Sequence, residues 1–198
     1  CAELVWHLRT CSTNLVTTLG ARSPMEPIAS EQISAFLTEL GACYPLPDAL
    51  VLLGGSALCL LGSNRPTLDI DYVGDDLHKN ALQRTIDQIA HELRIQVDAV
   101  PIDQFVPMPM GADQRRLFIG RFGRLEVFAL DPYTIALSKL DRGFDTDIED
   151  IVFLIHRNLV TLEQLEQVAL TALTRAAEFD IRSTDVRMHL QTVRSLIE

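Results

Sequence analysis

The stretch from Leu52 to Gly74, LLGGSALCLLGSNRPTLDIDYVG, constrains the fold of this chain more than any other part of the sequence. The apolar run ALVLLGG, which overlaps its start, ends in two glycines and predicts a buried strand followed by a turn. The segment LDIDYV then alternates at period two, which predicts a second strand with Asp69 and Asp71 on one face, about 6–7 Å apart at the backbone. Because adjacent carboxylates repel each other and are costly to bury, this pair needs solvent, a cationic side chain or a metal ion beside it.

The N-terminal half of the chain mixes predicted helices and strands. Apolar spacing predicts helices over about 30–40, 56–61 and 80–94. Ser30 caps the first of these helices, and Ser56 opens the second. The segment IQVDAV predicts a third strand, and RLFIGRFGRLEVFAL predicts a hairpin that turns near its second glycine. This half is therefore expected to form a mixed sheet with flanking helices.

The C-terminal third is predicted to be helical. Asp131 as a cap and Pro132 in the first turn predict the start of one helix. From Asp147 onward the apolar spacing is mostly helical, and the capping-box pattern TLEQ begins a long helix at Thr161. With a last helix from about Thr184, the whole order predicts an α/β (α+β) fold with a helical C-terminal part.

Three segments are expected along the chain. Met25 and the sequence after it, EPIASEQISAFLTEL, look like a natural start, so residues 1–24 are a candidate extension or non-native segment. The alternative is an ordinary N-terminal helix, since apolar residues of that segment have helical spacing. Residues 25–130 are predicted to form the core, and residues 131–198 a helical region packed on it.

Composition narrows the functional classes. The net charge of −10 argues against a broad electrostatic grip on nucleic acid, although a local basic groove or RNA as an occasional substrate stays open. No apolar run reaches about 18 residues and no secretory signal is evident, so we expect a cytoplasmic protein with no membrane partner. The four cysteines, Cys1, Cys11, Cys43 and Cys59, match no zinc-binding spacing and indicate a reducing compartment.

Four interpretations of the glycine turn and the Asp-Ile-Asp pair compete. A phosphate-binding P-loop fails because no lysine follows the glycines. A calcium-binding EF-hand loop fails because Val73 stands at its fifth position, which needs an oxygen ligand, and Asn80 at its twelfth, which needs a bidentate Glu. A solvated strand end is the common outcome for a bare Asp-x-Asp sequence, and the fourth interpretation is a two-metal site.

The two-metal interpretation uses more of the chain than the others. Two magnesium ions about 4 Å apart are held by carboxylates that lie on one side of a strand. Asp98, in the apolar segment IQVDAV, would add a third carboxylate if its strand paired beside the Asp-Ile-Asp strand. Gly54 and Gly55 allow the backbone to approach a phosphate closely, and Ser56 adds a hydroxyl. Metal ions would thus resolve the repulsion between the carboxylates.

The sequence GGSALCLLGSNRPTLDID resembles the signature of the nucleotidyltransferase superfamily related to DNA polymerase β, in which a glycine–serine turn and a short helix precede Asp-x-Asp. It is most similar to the bacterial abortive-infection type II (AbiEii-like) toxins and their uncharacterised relatives. Those relatives also have a lysine in a following helix and an Asp-rich helix start, matched here by Lys139 in IALSKL and by Asp147 and Asp150 in DTDIEDIVFL. The resemblance extends from about Leu50 to Asn158.

The resemblance implies a nucleotidyltransferase-like fold and a magnesium-dependent transfer of a nucleoside monophosphate from a nucleoside triphosphate (NTP) to an acceptor. It implies that Asp69 and Asp71 hold Mg²⁺ against the triphosphate, and that Asp98 binds a second Mg²⁺ and helps to deprotonate the attacking hydroxyl. It also suggests a toxin–antitoxin or phage-defence toxin that acts on tRNA or protein, with a cognate antitoxin as a partner. Together with the glycine turn, it gives the predicted nucleotide-binding residues Gly54, Gly55, Ser56, Arg65, Lys139 and Asp147.

Two residues near the predicted site have more than one interpretation. Arg65 contacts phosphate, pairs with Asp69 or lies on the surface, and Lys139 contacts the nucleotide phosphates or is a surface lysine whose stem covers apolar groups. Asp147 is expected to pair with Lys139, whereas no role is predicted for Asp150.

Three further points stay open at the level of the sequence. Asp103 and Glu126 compete with Asp98 for the place of the third carboxylate. Many relatives have a lysine where this chain has Thr146, so a basic contact with the substrate is either missing or supplied elsewhere. The alternative function is a catalytically silent module on the same fold that binds an NTP or a partner.

Overall fold

A computed structural model describes residues 27–75, 77 and 79–198, so the candidate extension, residues 1–24, lies outside the described residues. Five strands form one mixed sheet in the order β3-β2-β1-β5-β4. The bounds of these strands are Asp48–Leu52 (β1), Ile70–Val73 (β2), Val97–Val100 (β3), Leu117–Phe122 (β4) and Leu125–Ala129 (β5).

Helices flank the sheet and make up most of the chain after β5. Their bounds are Ser30–Cys43 (α1), Gly54–Leu60 (α2), Ala81–Leu93 (α3), Ile102–Phe105 (α4), Pro132–Arg142 (α5), Asp145–His156 (α6), Leu162–Leu173 (α7) and Ser183–Ile197 (α8). The predicted α+β class, with a mixed sheet and a helical C-terminal part, is confirmed. Among the described residues, no helix combines the length and the apolar character that crossing a bilayer requires.

Polar capping residues fix where several helices begin. The Asn80 side chain accepts a hydrogen bond from the Gln83 backbone N–H at 2.8 Å, and the Gln83 side chain accepts one from the Asn80 N–H at 3.0 Å. This reciprocal pair is the capping box that starts α3. Asp131 accepts from the Thr134 N–H at the start of α5, where Pro132 occupies the first helical position as predicted.

Two predicted helix starts are shifted in the structure. The N-cap of α1 is Ala29 rather than Ser30, and the Gln32 side chain accepts a hydrogen bond from the Ala29 N–H at 2.9 Å. Helix α2 begins at Gly54 rather than Ser56, because Gly54 adopts a φ of +62° and turns the chain directly from β1 into the helix.

Strand pairing decides which residues meet at one edge of the sheet. Strands β1 and β5 run parallel, whereas β2 runs antiparallel to β1, with Leu52 opposite Tyr72. Strands β2 and β3 are parallel and connected through α3, and their register sets Asp71 opposite Asp98. The end of β1, with its glycine turn, therefore lies next to the start of β2.

One buried apolar cluster runs through both halves of the chain. It includes Leu37 of α1, Leu52 of β1, Leu140 of α5 and Val193 of α8. The helices after β5 thus share their buried side with the sheet and α1. The domain boundary at residue 130 stays a prediction.

Candidate active site

Three aspartates converge at the start of β2 and β3. Asp69 directly precedes β2, Asp71 is the second residue of that strand, and Asp98 is the second residue of β3. Each of them offers one carboxylate oxygen, and these three oxygens lie within 4.8 Å of one another. Three carboxylates of this kind suit a hard dication such as Mg²⁺, which prefers oxygen ligands.

The electrostatics of the triad favour a bound cation. The pKa of Asp71 is raised from 3.8 to about 7, first by burial and then by the negative charges of Asp69 and Asp98. The positive charges of Arg142 and Lys139 act against this shift without cancelling it. A cation bound between the three carboxylates would reverse the repulsion that raises the pKa.

The glycine turn lies directly against the triad. A Cβ atom added to Gly54 would overlap the Oδ2 atom of Asp71, and one added to Gly55 would overlap the Thr67 hydroxyl. The Thr67 hydroxyl in turn donates to Asp69 Oδ1 at 3.3 Å. Both glycines are therefore required by close approach to the residues that carry or support the carboxylates.

Ser56 has a different environment from the one expected of a phosphate ligand. Its side chain is fully buried, and its hydroxyl donates to the Leu53 carbonyl oxygen at 2.9 Å and lies 3.3 Å from the Asp71 carbonyl oxygen. The hydroxyl ties the glycine turn to β2. The role of Ser56 in nucleotide binding stays a prediction.

Replacing Gly54 by Ala is expected to lower the free energy of unfolding by at least about 2 kcal/mol and to weaken metal binding, because the positive φ costs about 1–2 kcal/mol and the new methyl group displaces the Asp71 carboxylate. Urea unfolding and a magnesium titration measure the two effects. Gly120→Ala is the matched control, since its added Cβ would come no closer than 3.5 Å to a neighbouring atom. Equal losses in the two variants would contradict this assignment of Gly54.

A second set of charges is buried between α5 and α6. The Lys139 ammonium donates to Asp147 Oδ1 at 3.1 Å and to Asp150 Oδ2 at 2.5 Å, and all three side chains are only 2–3% exposed. The expected pairing of Lys139 with Asp147 is thus present. The surface interpretation of Lys139 is wrong, because the ammonium is enclosed by the two carboxylates.

Two arginines extend this buried set toward solvent. Arg65 donates to Asp150 through Nε at 3.1 Å and also through Nη2, so its partner is Asp150 and not Asp69. Arg142 donates to Asp147 Oδ1 through Nη2 at 2.5 Å. We call the five residues Arg65, Asp150, Lys139, Asp147 and Arg142 the charge chain, since each contacts the next.

The charge chain favours the ionised form of the Asp147 carboxylate. Burial acts to raise the pKa of Asp147, but the hydrogen bond from Arg142 and the positive charge of Lys139 outweigh burial, so this pKa lies below its usual value. The Oδ2 atom of Asp147 is buried and has no hydrogen-bond partner within the described ranges. One acceptor position of the chain is therefore unused.

Sequence reasoning missed Arg142 and the part that Asp150 plays. Arg142 is three residues after Lys139, and Gly143, with a φ of +68°, ends α5 so that the arginine reaches the start of α6. A basic residue in the last turn of a helix, shortly before an acidic helix start, is the signal that could have found it.

The two carboxylates that were alternatives to Asp98, those of Asp103 and Glu126, lie away from the triad. Asp103 is exposed on α4, and Glu126 pairs with Arg121 near the opposite end of β5, so neither joins the triad. A cavity of about 630 Å³, lined mainly by residues of the loop 107–110 and of α7, does not include the three aspartates. The candidate site is therefore the open surface around the triad.

Comparisons with known proteins identify a family. The family model described as a nucleotidyltransferase of unknown function (DUF6036) matches residues 31–194, which include the triad, the glycine turn and the charge chain. Searches of curated proteins and of solved structures found no match.

Proposed function

The chain belongs to the nucleotidyltransferases of unknown function grouped as DUF6036, and from this premise we propose that it is an active, magnesium-dependent enzyme that moves a nucleoside monophosphate from an NTP to an acceptor. The observation that carries the proposal is the convergence of Asp69, Asp71 and Asp98 within 4.8 Å. A family member that had lost its activity would not need to retain all three carboxylates, whose mutual repulsion is costly when no metal is bound.

The triad would hold the metal and take part in the chemistry. Two bound Mg²⁺ ions would stabilise negative charge on the triphosphate and on the attacking oxygen. Asp69 and Asp71 would hold Mg²⁺ against the triphosphate. Asp98 accepts the proton of the acceptor hydroxyl, whose oxygen bonds to the α-phosphorus while the bond from that phosphorus to the β-phosphate bridge breaks and pyrophosphate leaves.

The nucleotide would lie between the triad and the charge chain. Gly54 and Gly55 leave room for the phosphates beside Asp71, and Ser56 holds this turn in place. Arg65 is the partly exposed end of the charge chain nearest in sequence to the triad. Lys139 and Asp147 would act from their buried positions through their charges, and Asp147 also holds Arg142.

For the acceptor we propose tRNA or a protein, as the likeness to abortive-infection toxins suggests, with a cognate antitoxin as the partner and the cytoplasm as the location. The acidic net charge of −10 disfavours a broad RNA-binding surface, so an RNA acceptor would be bound at a short, local contact.

Mg²⁺ and an NTP together are expected to raise the melting temperature by about 5–10 °C at a ligand concentration near 100 times the dissociation constant, because a ligand that binds only the folded state stabilises it by about 2.7 kcal/mol under that condition. Thermal shift with each of the four NTPs, with Mg²⁺ and with EDTA, measures this. Absence of a shift with all four would overturn the proposed function.

Transfer itself is tested with α-phosphate-labelled NTPs, total RNA and total protein. Label in an RNA or a protein fraction supports the enzyme, and an equal amount of label with the Asp98→Asn variant would contradict the role of Asp98. A thermal shift with no transfer in any fraction would instead support the silent NTP-binding module.

A further inference from the structure

We propose that the cavity between the loop 107–110 and α7 binds a nucleotide unit of the acceptor, that is, a base with its attached phosphate. Such a unit is either the end of a single-stranded RNA or a free nucleotide. This role rests on the proposed function, because it names the class of acceptor that the transfer would use. The site is separate from the metal-binding residues, since none of the three aspartates lines the cavity.

A neighbouring cavity leads from this site to the face of the sheet that carries the triad. It has a volume of about 490 Å³, shares Met108 and Pro109 with the first cavity, and is also lined by Val73, the last residue of β2. Residues two apart in a strand point to the same side, so Val73 lies on the same face as Asp71, about 6–7 Å further along the backbone. A chain-like ligand that occupies both cavities would therefore reach the face on which the triad lies.

The lining of the first cavity combines an apolar side with a polar side. The apolar side is the segment 107–110, Pro-Met-Pro-Met, whose two prolines limit its backbone freedom. The polar side is formed by residues at helical spacing along α7 and just after it, namely Gln164, Gln167, Thr171 and Arg175. A nucleobase has apolar faces and a polar edge, so it suits such a lining, and a volume of about 630 Å³ is in the usual range of ligand cavities.

Arg115 gives this cavity a fixed, flat, cationic surface. Its Nε and Nη2 atoms donate to the two carboxylate oxygens of the fully buried Asp131 at 2.8 and 2.9 Å, and its Nη1 atom donates to the Met110 carbonyl oxygen at 2.8 Å. The guanidinium carbon lies over the Tyr133 ring, 5.5 Å from its centre. The side chain is still 36% exposed, and it lines the cavity. Bases stack on guanidinium planes, and a plane that is already held loses little side-chain entropy when a base binds.

The charge of the cavity favours a phosphate. Among the described residues that line it, the charged ones are Arg115 and Arg175, and no carboxylate takes part, although the protein has 27 acidic and only 17 basic residues. Arg175 is 51% exposed and uses Nε and Nη2 on Glu178, so three of its five N–H donors are free within the described part of the chain. A guanidinium fork of this kind binds phosphate oxygens, whereas a cationic ligand would meet no opposite charge in the lining.

A cavity-filling change tests the site itself. Gln167→Trp places an indole in the cavity from an exposed position on α7. Leu170→Trp is the matched control, since Leu170 is 43% exposed on the same helix and does not line the cavity. Anisotropy of a labelled single-stranded RNA hexamer and calorimetry with the four nucleoside monophosphates measure binding, both in EDTA and with Mg²⁺ plus a non-hydrolysable NTP analogue. Gln167→Trp is expected to weaken binding about ten- to hundredfold through loss of the base contact, and Leu170→Trp to leave it unchanged.

The phosphate contact is tested by removing Arg175. Arg175→Ala is expected to weaken binding of nucleoside monophosphates by about tenfold and to leave binding of the corresponding nucleosides unchanged. Arg182→Ala is the matched control, because each of these two exposed arginines pairs with an acidic residue three positions further on. Equal weakening of nucleosides and monophosphates, or no weakening at all, would overturn the role of Arg175.

The two sources of the nucleotide unit give different results. Binding of the hexamer that is much tighter than that of any monophosphate identifies the end of an RNA strand, and equal binding identifies a free nucleotide. Either result supports the assignment of the cavity when Gln167→Trp abolishes or weakens it. Wild-type protein that binds neither probe under either condition would overturn the assignment, as would a Gln167→Trp variant that binds both probes as tightly as the wild type.

Failure of the cavity and failure of the proposed function are distinguishable, because Gln167→Trp leaves the triad unaltered and is expected to keep the magnesium-dependent thermal shift with an NTP. Wild-type protein that shows this shift but transfers label only to protein, equally with Gln167→Trp, would overturn the nucleotide acceptor and leave the enzyme standing. Wild-type protein without the shift would overturn the proposed function and the acceptor role together, even if the cavity still bound a nucleotide.

Discussion

Replacing Asp69 and Asp71 together by Asn will abolish nucleotide transfer and magnesium-dependent NTP binding, and it will leave the metal-free protein at least as stable as the wild type. Asn keeps the shape of the side chain and removes the charge, so the repulsion among the three carboxylates disappears. A neutral amide is a far poorer ligand for a hard dication than a carboxylate. The measurements are a transfer assay with Mg²⁺ and a melting curve in EDTA.

The stability difference between this variant and the wild type will depend on pH. The pKa of Asp71 is about 7 in the folded protein and 3.8 when unperturbed, so the folded state binds more protons than the unfolded state between these values. Stability of the metal-free wild type therefore falls as the pH rises from about 4 to about 7, by up to about 4 kcal/mol. The variant lacks this loss, so its advantage will be largest at pH 8 and smallest near pH 4.

The matched control for the double variant is Asp103→Asn, which removes an exposed carboxylate that is close to β3 in the chain but outside the triad. This control is expected to keep both transfer activity and the melting curve of the wild type. The catalytic assignment would be contradicted if the double variant melted clearly lower than the wild type at pH 8 and still bound NTP. Such a result would show that the two aspartates are a structural pair.

Replacing Lys139 by Met will cost about 3–5 kcal/mol of unfolding free energy, the second large effect that we expect. The variant leaves Asp147 and Asp150 buried at 2–3% exposure with only the two terminal arginines as partners. For a chain of this length the loss corresponds to a melting temperature lower by roughly 6–20 °C. Urea unfolding at neutral pH measures the free energy.

Lys79→Met is the control, because Lys79 and its partner Asp87 form an ion pair that is 37–39% exposed and is expected to contribute no more than about 1 kcal/mol. The triple change Lys139→Met, Asp147→Asn and Asp150→Asn should regain part of the loss, since it removes the unpaired charges as well. A Lys139→Met protein as stable as the Lys79→Met protein would contradict the description of the charge chain as a buried, mutually dependent set.

The strands and the triad could be predicted from the sequence because their signals are local. The alternation in LDIDYV fixes Asp71 on one face of β2, and the apolar segment IQVDAV places Asp98 in a strand. That these strands are neighbours follows from the connection through α3, which is long enough for a parallel crossover. Helix starts at Asn80, Asp131 and Thr161 could be predicted because a cap is a contact between residues three apart.

The charge chain could be predicted only in part, because its contacts join elements that are distant in the sequence. The pairing of Lys139 with Asp147 spans a single turn between helices and was within reach of pattern reasoning. The partner of Arg65 was not, because nothing near Arg65 indicates that α6 packs beside it and brings Asp150 to the guanidinium. The burial of the Lys139 ammonium could not be predicted from the sequence either, since lysines among apolar residues are more often exposed at their charged end.

The separation in sequence between Arg65 and its partner Asp150 has a consequence for the protein while it is being synthesised. Arg65 and Asp150 are 85 residues apart, and at about 5–20 residues per second a ribosome needs about 4–17 s to add the second after the first. The parallel pairing of β1 with β5 closes a loop of similar length and forms slowly for the same reason. During most of that interval the nascent chain carries Asp69 and Asp71 but not yet Lys139, Asp147 and Asp150. Arg65 therefore lacks its carboxylate partner until α6 has emerged and docked.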